Sequence, residues 1–350
     1  MTLTKHTISS VTTVRLGYEY LRTVGRNSFL GSHGSGGSFT AYVVETDRGA
    51  TGWGLPLSDG DPGPLIGRPL AELIDPERGV VDPAAEFLDY PLHDLAARIL
   101  ELPVYAMLGG AGSPRVRCYS GGIYFDDLDG GPDSGPDSGS DAIRANLAQD
   151  HAFGFRDFKL KIGRGHRWMD PRAGLRRDIE VTRLTRELYP DAAILVDGND
   201  GFTLNGLFEY VDAVADCGLY WIEEPFPERR PDLQALREHL DGGPIRIADG
   251  EYDPDVDHVV ALAAEGLVDV ALMDVIGHGL TAWRRTMPLL KSEASPHAWG
   301  LPLKTLYAAH LSAGLGNTPI IEGVPGPGAY TLEDGHVVLT DDPGFGLELP

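Results

Sequence analysis

From Arg115 to Glu322 short apolar or β-branched runs alternate with stretches of helical periodicity, and this alternation constrains the fold more than any other feature of the chain. The runs begin at Val116, Phe155, Ala193, Leu219, Ile245, Val268, about Glu293 and Pro319. A strand followed by a helix that returns to a parallel neighbour is the unit of α/β folds. Eight such units in about 210 residues predict a closed (β/α)8 barrel and not an open sheet. The seventh run, within SEASPH, carries the least strand character.

Ahead of the barrel, residues 8–16 and 38–45 read as two strands joined by a mobile Gly-rich loop over 31–37. Residues 83–100 place Phe87, Leu88, Leu92, Leu95, Ile99 and Leu100 at helical spacing. The expected division is an α+β capping domain over 1–112, a barrel over 113–324, and a tail over 325–350 that packs back on the cap. Residues 126–141, DDLDGGPDSGPDSGSD, are of low complexity and are expected to form a solvated loop.

The formal net charge is -23, from 29 Lys+Arg against 52 Asp+Glu. Such a field repels phosphates, which argues against nucleic acid or an anionic membrane as partner. An acidic chain that binds an anionic small molecule needs a local positive centre, either lysines or a metal. Cys118 and Cys217 stand far apart in no metal-binding or redox spacing. The first residues lack an apolar run of signal-peptide length, and no stretch reaches the ~18 apolar residues of a membrane span, so a cytoplasmic enzyme is expected.

Barrel enzymes draw catalytic side chains from the C-terminal ends of several strands. Those ends carry Lys159 and Lys161, then Asp197 and Asn199, Glu223 and Glu224, Asp249 and Glu251, Asp274, His297 and Glu322. Asp197, Glu223 and Glu251 lie 26 and then 28 residues apart, about one βα repeat each. A single acid at a strand end is readily explained as a helix cap. Three in consecutive repeats repel one another unless a hard cation sits among them, and all-oxygen ligation selects Mg²⁺ over zinc.

The series KLKIG, LVDGND, WIEEPF, IADGE, LMDVIG, SPHAWG and IIEG, in that order, resembles the motifs of the mandelate racemase-like branch of the enolase superfamily. DLAARILELPVYAMLGG resembles the helix and turn that leave that family's capping domain. The resemblance implies the family's modified barrel, a homo-oligomer, and removal of a proton next to a substrate carboxylate to give an enediolate. It implies that Asp197, Glu223 and Glu251 hold Mg²⁺, with Asp249 and Glu224 ranked second. Lys161 would be the base on one face, its pKa lowered by the like charge of Lys159. His297 would serve the other face, oriented by Asp274, although the weak strand before it leaves that pair's geometry in question. His278 and His310 are alternatives by residue type alone. Glu322 would donate a hydrogen bond to the substrate carboxylate if protonated, and Asn199 would bond a ligand or substrate oxygen. Arg26, His33 and Trp53 in the capping segment would contact the distal end of the substrate.

Proton abstraction followed by loss of a β-hydroxyl gives a 2-keto acid, whereas return of the proton to the other face gives racemisation or epimerisation. The resemblance favours dehydration of a sugar acid, and a polar Gly-rich capping loop with Arg26 and His33 is compatible with a hydroxylated substrate. The sixth strand ends in DVIG with no lysine, unlike the muconate-cycloisomerase and dipeptide-epimerase branches. A metal-dependent hydrolase on this fold would need His-rich ligation such as an early HxH pair, which is absent. A non-catalytic binding barrel would not need the bases, all of which are present.

Overall fold

The computed structural model describes residues 2–128, 139–251 and 254–349. Ile8–Val24 and Gly34–Thr46 pair antiparallel, and Thr51–Gly54 adds a third strand. Both long strands exceed the expected spans, so the loop between them shrinks to residues 25–33. Most of the Gly-rich span is therefore strand: Gly36 faces Glu19 and Gly37 faces Tyr18. A Cβ on Gly36 would lie 2.3 Å from the Tyr18 carbonyl oxygen, so glycine there permits close backbone approach and not mobility.

The helical periodicity over 83–100 resolves into a 3-10 segment, Pro83–Leu88, and an α-helix, Asp89–Leu100. The helix buries Leu92, Leu95 and Ile99 and packs so closely on the sheet that a Cβ at Gly52 would meet the Leu95 backbone. Asp94 on this helix accepts the Trp53 and Phe345 backbone N–H groups, each at 2.9 Å, so the C-terminal tail lies against the N-terminal sheet and helix.

Eight parallel strands follow: Arg115–Ile123, Asp157–Lys161, Ile194–Asp197, Leu219–Glu223, Arg246–Asp249, Val270–Ala271, Glu293–Ala294 and Ile321–Gly323. The eighth pairs with the first and closes the ring. Between the seventh and eighth strands no regular ladder forms among the described residues: the Ala294 N–H donates to the Asn317 carbonyl at 3.0 Å, and the Asn317 amide donates to the Ser292 carbonyl at 2.9 Å. Helices cross between consecutive strands, but the eighth leads into a hairpin, Thr331–Glu333 and His336–Val338, whose second arm pairs antiparallel with the first barrel strand. The barrel is thus the modified form, with its last helix replaced.

Side chains alternate across each strand, so Phe158, Leu160 and Ile162 pack in the apolar cluster shared with the helices while Lys159 and Lys161 share the opposite face. Tyr119, Leu195, Trp221, Ala248, Val270, Leu272 and Ile320 form a separate cluster drawn from the strands, with Tyr119 edge-on to Trp221 at 5.4 Å. This layer fills the barrel beneath the charged strand ends. Most of the low-complexity segment, residues 129–138, falls outside the described residues. Its first residues are not solvated: Asp127 is buried and accepts hydrogen bonds from Arg164 and Arg177. No helix among the described residues is long and apolar enough to cross a membrane.

Candidate active site

Asp197, Glu223 and Glu251 converge from the third, fourth and fifth strands, with one carboxylate oxygen of each within 4.8 Å of the others. Two unit charges at that separation repel by about 3 kcal/mol at an effective dielectric near 20. Glu224 and Asp249 crowd the same region, and burial, with the neighbouring acids adding, pushes both carboxyls well above their usual range. Glu251 Oε2 and Asp249 Oδ2 are buried without a hydrogen-bond partner. A surplus of oxygen donors, some with free lone pairs, fits a hard divalent cation.

The two lysines partly compensate this charge. Lys159 Nζ bonds Glu223 directly and lies 3.1 Å from Asp197 and 2.9 Å from Glu322, the last without hydrogen-bond alignment. Lys161 Nζ bonds Asp197. Burial alone would raise the Asp197 pKa, but Lys161 and Lys159 outweigh it and hold that carboxyl well below the usual range. For Lys161, burial and the like charge of Lys159 both push downward, as expected from the sequence. Asp197, Glu251 and Glu223 outweigh them where no cation neutralises these acids, and the net shift is upward.

Glu322 also departs from expectation. Burial opposes ionisation, yet Lys159, His297 and Lys161 draw the carboxyl below its usual range. Its Oε2 accepts the Ala298 N–H at 3.2 Å, and its Oε1 is buried without a hydrogen-bond partner.

His297 Nδ1 lies 2.9 Å from Asp274 Oδ2, although the strand before it is only two residues long. Its Nε2 faces the acids, 3.2 Å from Glu251 and 3.3 Å from Glu322. Burial lowers the imidazole pKa, but Glu251, Glu322 and Asp274 outweigh it and the net shift is upward. The two other histidines are structural. His278 bonds Thr286 Oγ1 and is pushed down to about 4 by burial, and His310 is buried against Tyr105 and Phe345 and pushed down to about 3.

These groups line one cavity of about 1000 Å³, to which Lys161, Asn199, Glu251, Asp274, His297 and His33 all contribute. Asn199 sits at a strained positive φ of 42° with its Oδ1 buried and unpartnered. His33 Nδ1–H donates to the Gly25 carbonyl at 2.9 Å, and the ring packs edge-on to Tyr124 and Trp299. Arg26 and Trp53 do not reach the cavity. The Arg26 guanidinium stacks over Trp168, and Trp53 is core, its indole N–H donating to Leu347. Sequence reasoning missed Tyr124, Trp299, Asp200 and Lys304, which also line it. Lys304 lies in the first turn of the helix following His297, where a search of helix starts would have found it. The capping loop also contributes Phe29 and Leu30, and with Leu55, Pro56, Ile276 and Leu301 they make one wall apolar. That weakens the argument from a polar loop.

Fold and site together define a capped barrel enzyme with three converging carboxylates flanked by an amine and an imidazole. The chain belongs to the enolase superfamily, mandelate racemase-like branch: the profile of the enolase C-terminal domain-like family matches residues 142–350. Galacturonate dehydratase from Geobacillus sp., solved as a mutant complexed with Mg, is 30% identical and superposes with a TM-score of 0.90 over 98% of this chain and 92% of that one. A second structure of that enzyme, with D-galacturonate and 5-keto-4-deoxy-D-galacturonate, superposes at 0.89 over 98% and 94% at the same identity. D-galactarolactone cycloisomerase from Agrobacterium fabrum is 27% identical over 87% of each chain. Arabinonate dehydratase from Saccharolobus solfataricus is 25% identical over 78% of this chain and 71% of its own.

Proposed function

We propose that the protein is a Mg²⁺-dependent sugar-acid dehydratase that removes the proton α to a carboxylate and expels the β-hydroxyl as water. The observation that carries this is the placement of Lys161 and the His297–Asp274 pair, on the second and seventh strands, to either side of the Asp197–Glu223–Glu251 cluster. Asp197, Glu223 and Glu251 would hold Mg²⁺, which would offset most of their charge, lessen the demand on Lys161, and supply positive charge to the substrate carboxylate as it loses its α-proton. Lys161 Nζ takes the α-proton. His297 Nε2–H gives its proton to the departing β-oxygen, the C–O bond breaks, and the enol left behind becomes a 2-keto-3-deoxy acid. Asp274 fixes the imidazole, Lys159 holds Glu223, and Asn199 faces the substrate with a free amide oxygen.

Residues 1–112, with the tail over 325–350, are assigned as the specificity cap, and 113–324 as the catalytic barrel. His33 is the capping residue assigned to the distal substrate end. The substrate is a free small carboxylate, and a cytoplasmic homo-oligomer is the working assembly. The dehydratase reading is supported by relatives, several of which are named as sugar-acid dehydratases.

The apolar wall favours a second reading, an epimerase or racemase acting on a carboxylate with an apolar substituent. The test is a panel of aldonates, aldarates and uronates with Mg²⁺, followed for 2-keto acid with semicarbazide and for inversion by polarimetry. EDTA-sensitive keto acid supports dehydration, and inversion without keto acid supports the second reading.

A further inference from the structure

Asp274 does more than face His297: every lone-pair direction of its carboxylate is taken. Oδ1 accepts the Ile276 and Gly277 backbone N–H groups at 2.8 and 2.9 Å, capping the short helix Val275–His278. Oδ2 is shared between His297 Nδ1 and Lys304 Nζ. Lys304 Nζ also donates to the Trp299 carbonyl at 2.8 Å, two residues beyond His297. One ammonium therefore ties the end of the sixth strand to the segment that carries the imidazole. The strand before that segment is only two residues long, and the segment's other ties are backbone bonds of His297 with Leu272, Met273 and Val275 and the Ala298 N–H donated to Glu322.

We propose that Lys304 is a positioning residue for the His297 face of the reaction. It fixes the Asp274 oxygen against which the imidazole is oriented, and it clamps the backbone just after that imidazole. In doing so it takes over the role that a longer seventh strand would play. Lys161 receives no contact from it; its partners are Asp197 and the ring of Tyr124. The effect of Lys304 should therefore be confined to one of the two acid/base groups.

The assignment rests on the reading of His297 as the second acid/base group, and two measurements on the Mg²⁺-loaded full chain separate the two ideas. The first needs no substrate. In protein labelled with ¹⁵N-histidine, the His297 Nδ1–H resonance is assigned by its loss in His297→Asn and then followed in Lys304→Met and Lys304→Arg. The expected result is a shifted or broadened resonance in Lys304→Met, restored in Lys304→Arg, with Trp299 fluorescence and the melting profile reporting the fold. An unmoved resonance in Lys304→Met overturns the proposal. The second follows the best substrate of the sugar-acid panel in D₂O. Lys304→Met should lower product formation roughly tenfold or more while deuterium still washes into unreacted substrate through Lys161. A parallel fall of both rates overturns a one-face role. If Lys304→Met does not fold, Lys304→Gln carries both measurements. If His297→Asn retains full dehydration, the reading of His297 fails, whatever the resonance shows for Lys304.

Discussion

His297 and Asp274 meet at 2.9 Å across a parallel bridge, Asp274 opposite His297, that forms even though the flanking strands are two residues each. Helix capping by Asp274 and the backbone bond from the Val275 N–H to the His297 carbonyl supply the order that strand length does not. Asp274→Asn keeps an oxygen for the cap but removes the charge that orients and supports the imidazole. The expected result is a kcat lower by about 10²-fold or more, as is typical of losing a positioned acid/base group, together with a lower melting temperature, because the new NH2 faces the Lys304 and His297 donors. Steady-state kinetics and calorimetry on the same preparation check it.

The carboxylate cluster predicts a metal-linked stability. A ligand that binds only the folded state stabilises it by about 2.7 kcal/mol at a hundredfold excess over its Kd. Mg²⁺ should therefore raise the melting temperature of the wild-type protein in a concentration-dependent way. Glu251→Gln should flatten that response, since the Glu251 oxygen left unpartnered is one of the donors. Differential scanning calorimetry across a Mg²⁺ titration gives the comparison without any substrate.

The capping loop is latched onto the catalytic strands. Ser28, buried, reaches the Ile162 carbonyl at 2.9 Å and the Gly198 carbonyl at 2.8 Å, each one residue past Lys161 or Asp197. Arg167 and the Trp168 indole bond the carbonyls of Phe29 and Asn27 on either side. Ser28→Ala should release this clamp, costing about 1 kcal/mol of stability and raising KM several-fold more than it lowers kcat. Kinetics with the best panel substrate distinguish the two constants.

His310 predicts acid sensitivity. Its Nδ1 accepts the Tyr105 backbone N–H at 3.2 Å, and burial lowers its pKa to about 3. In the unfolded chain it binds a proton below its ordinary value of 6.5 while the native state does not. This contribution is complete above pH 6.5 and is lost as the pH falls towards 3, at about 1.4 kcal/mol per unit. Urea unfolding between pH 7 and 4.5 should show that slope, and His310→Gln should reduce it by one proton.

Much of this was legible in the sequence because strand ends are where period-two burial stops and chemistry begins. The eight apolar starts fall within two residues of the observed strands, and the acids one repeat apart do converge. What periodicity could not supply was what each side chain touches. Arg26 and Trp53 sit near the cap in sequence, yet one stacks on Trp168 and the other is core. Lys304 could be found as a residue of a helix start, but its pairing with Asp274, thirty residues away, could not. Gly36 looked like flexibility and is a close contact. The pKa directions of Lys161 and Glu322 depend on the sum of buried charges and not on any adjacent pair, so residue spacing does not supply them.

The central claim is that Lys161 and His297 divide the chemistry between them, and isotope exchange tests it most directly. The Mg²⁺-loaded wild type, Lys161→Ala and His297→Asn would be incubated in D₂O with the substrate found in the panel, starting from D-galacturonate. Mass spectrometry then follows α-deuterium in substrate and product. The account predicts that Lys161→Ala incorporates no deuterium and forms no keto acid, whereas His297→Asn forms no keto acid but still exchanges the α-proton. Unimpaired exchange in Lys161→Ala would contradict it.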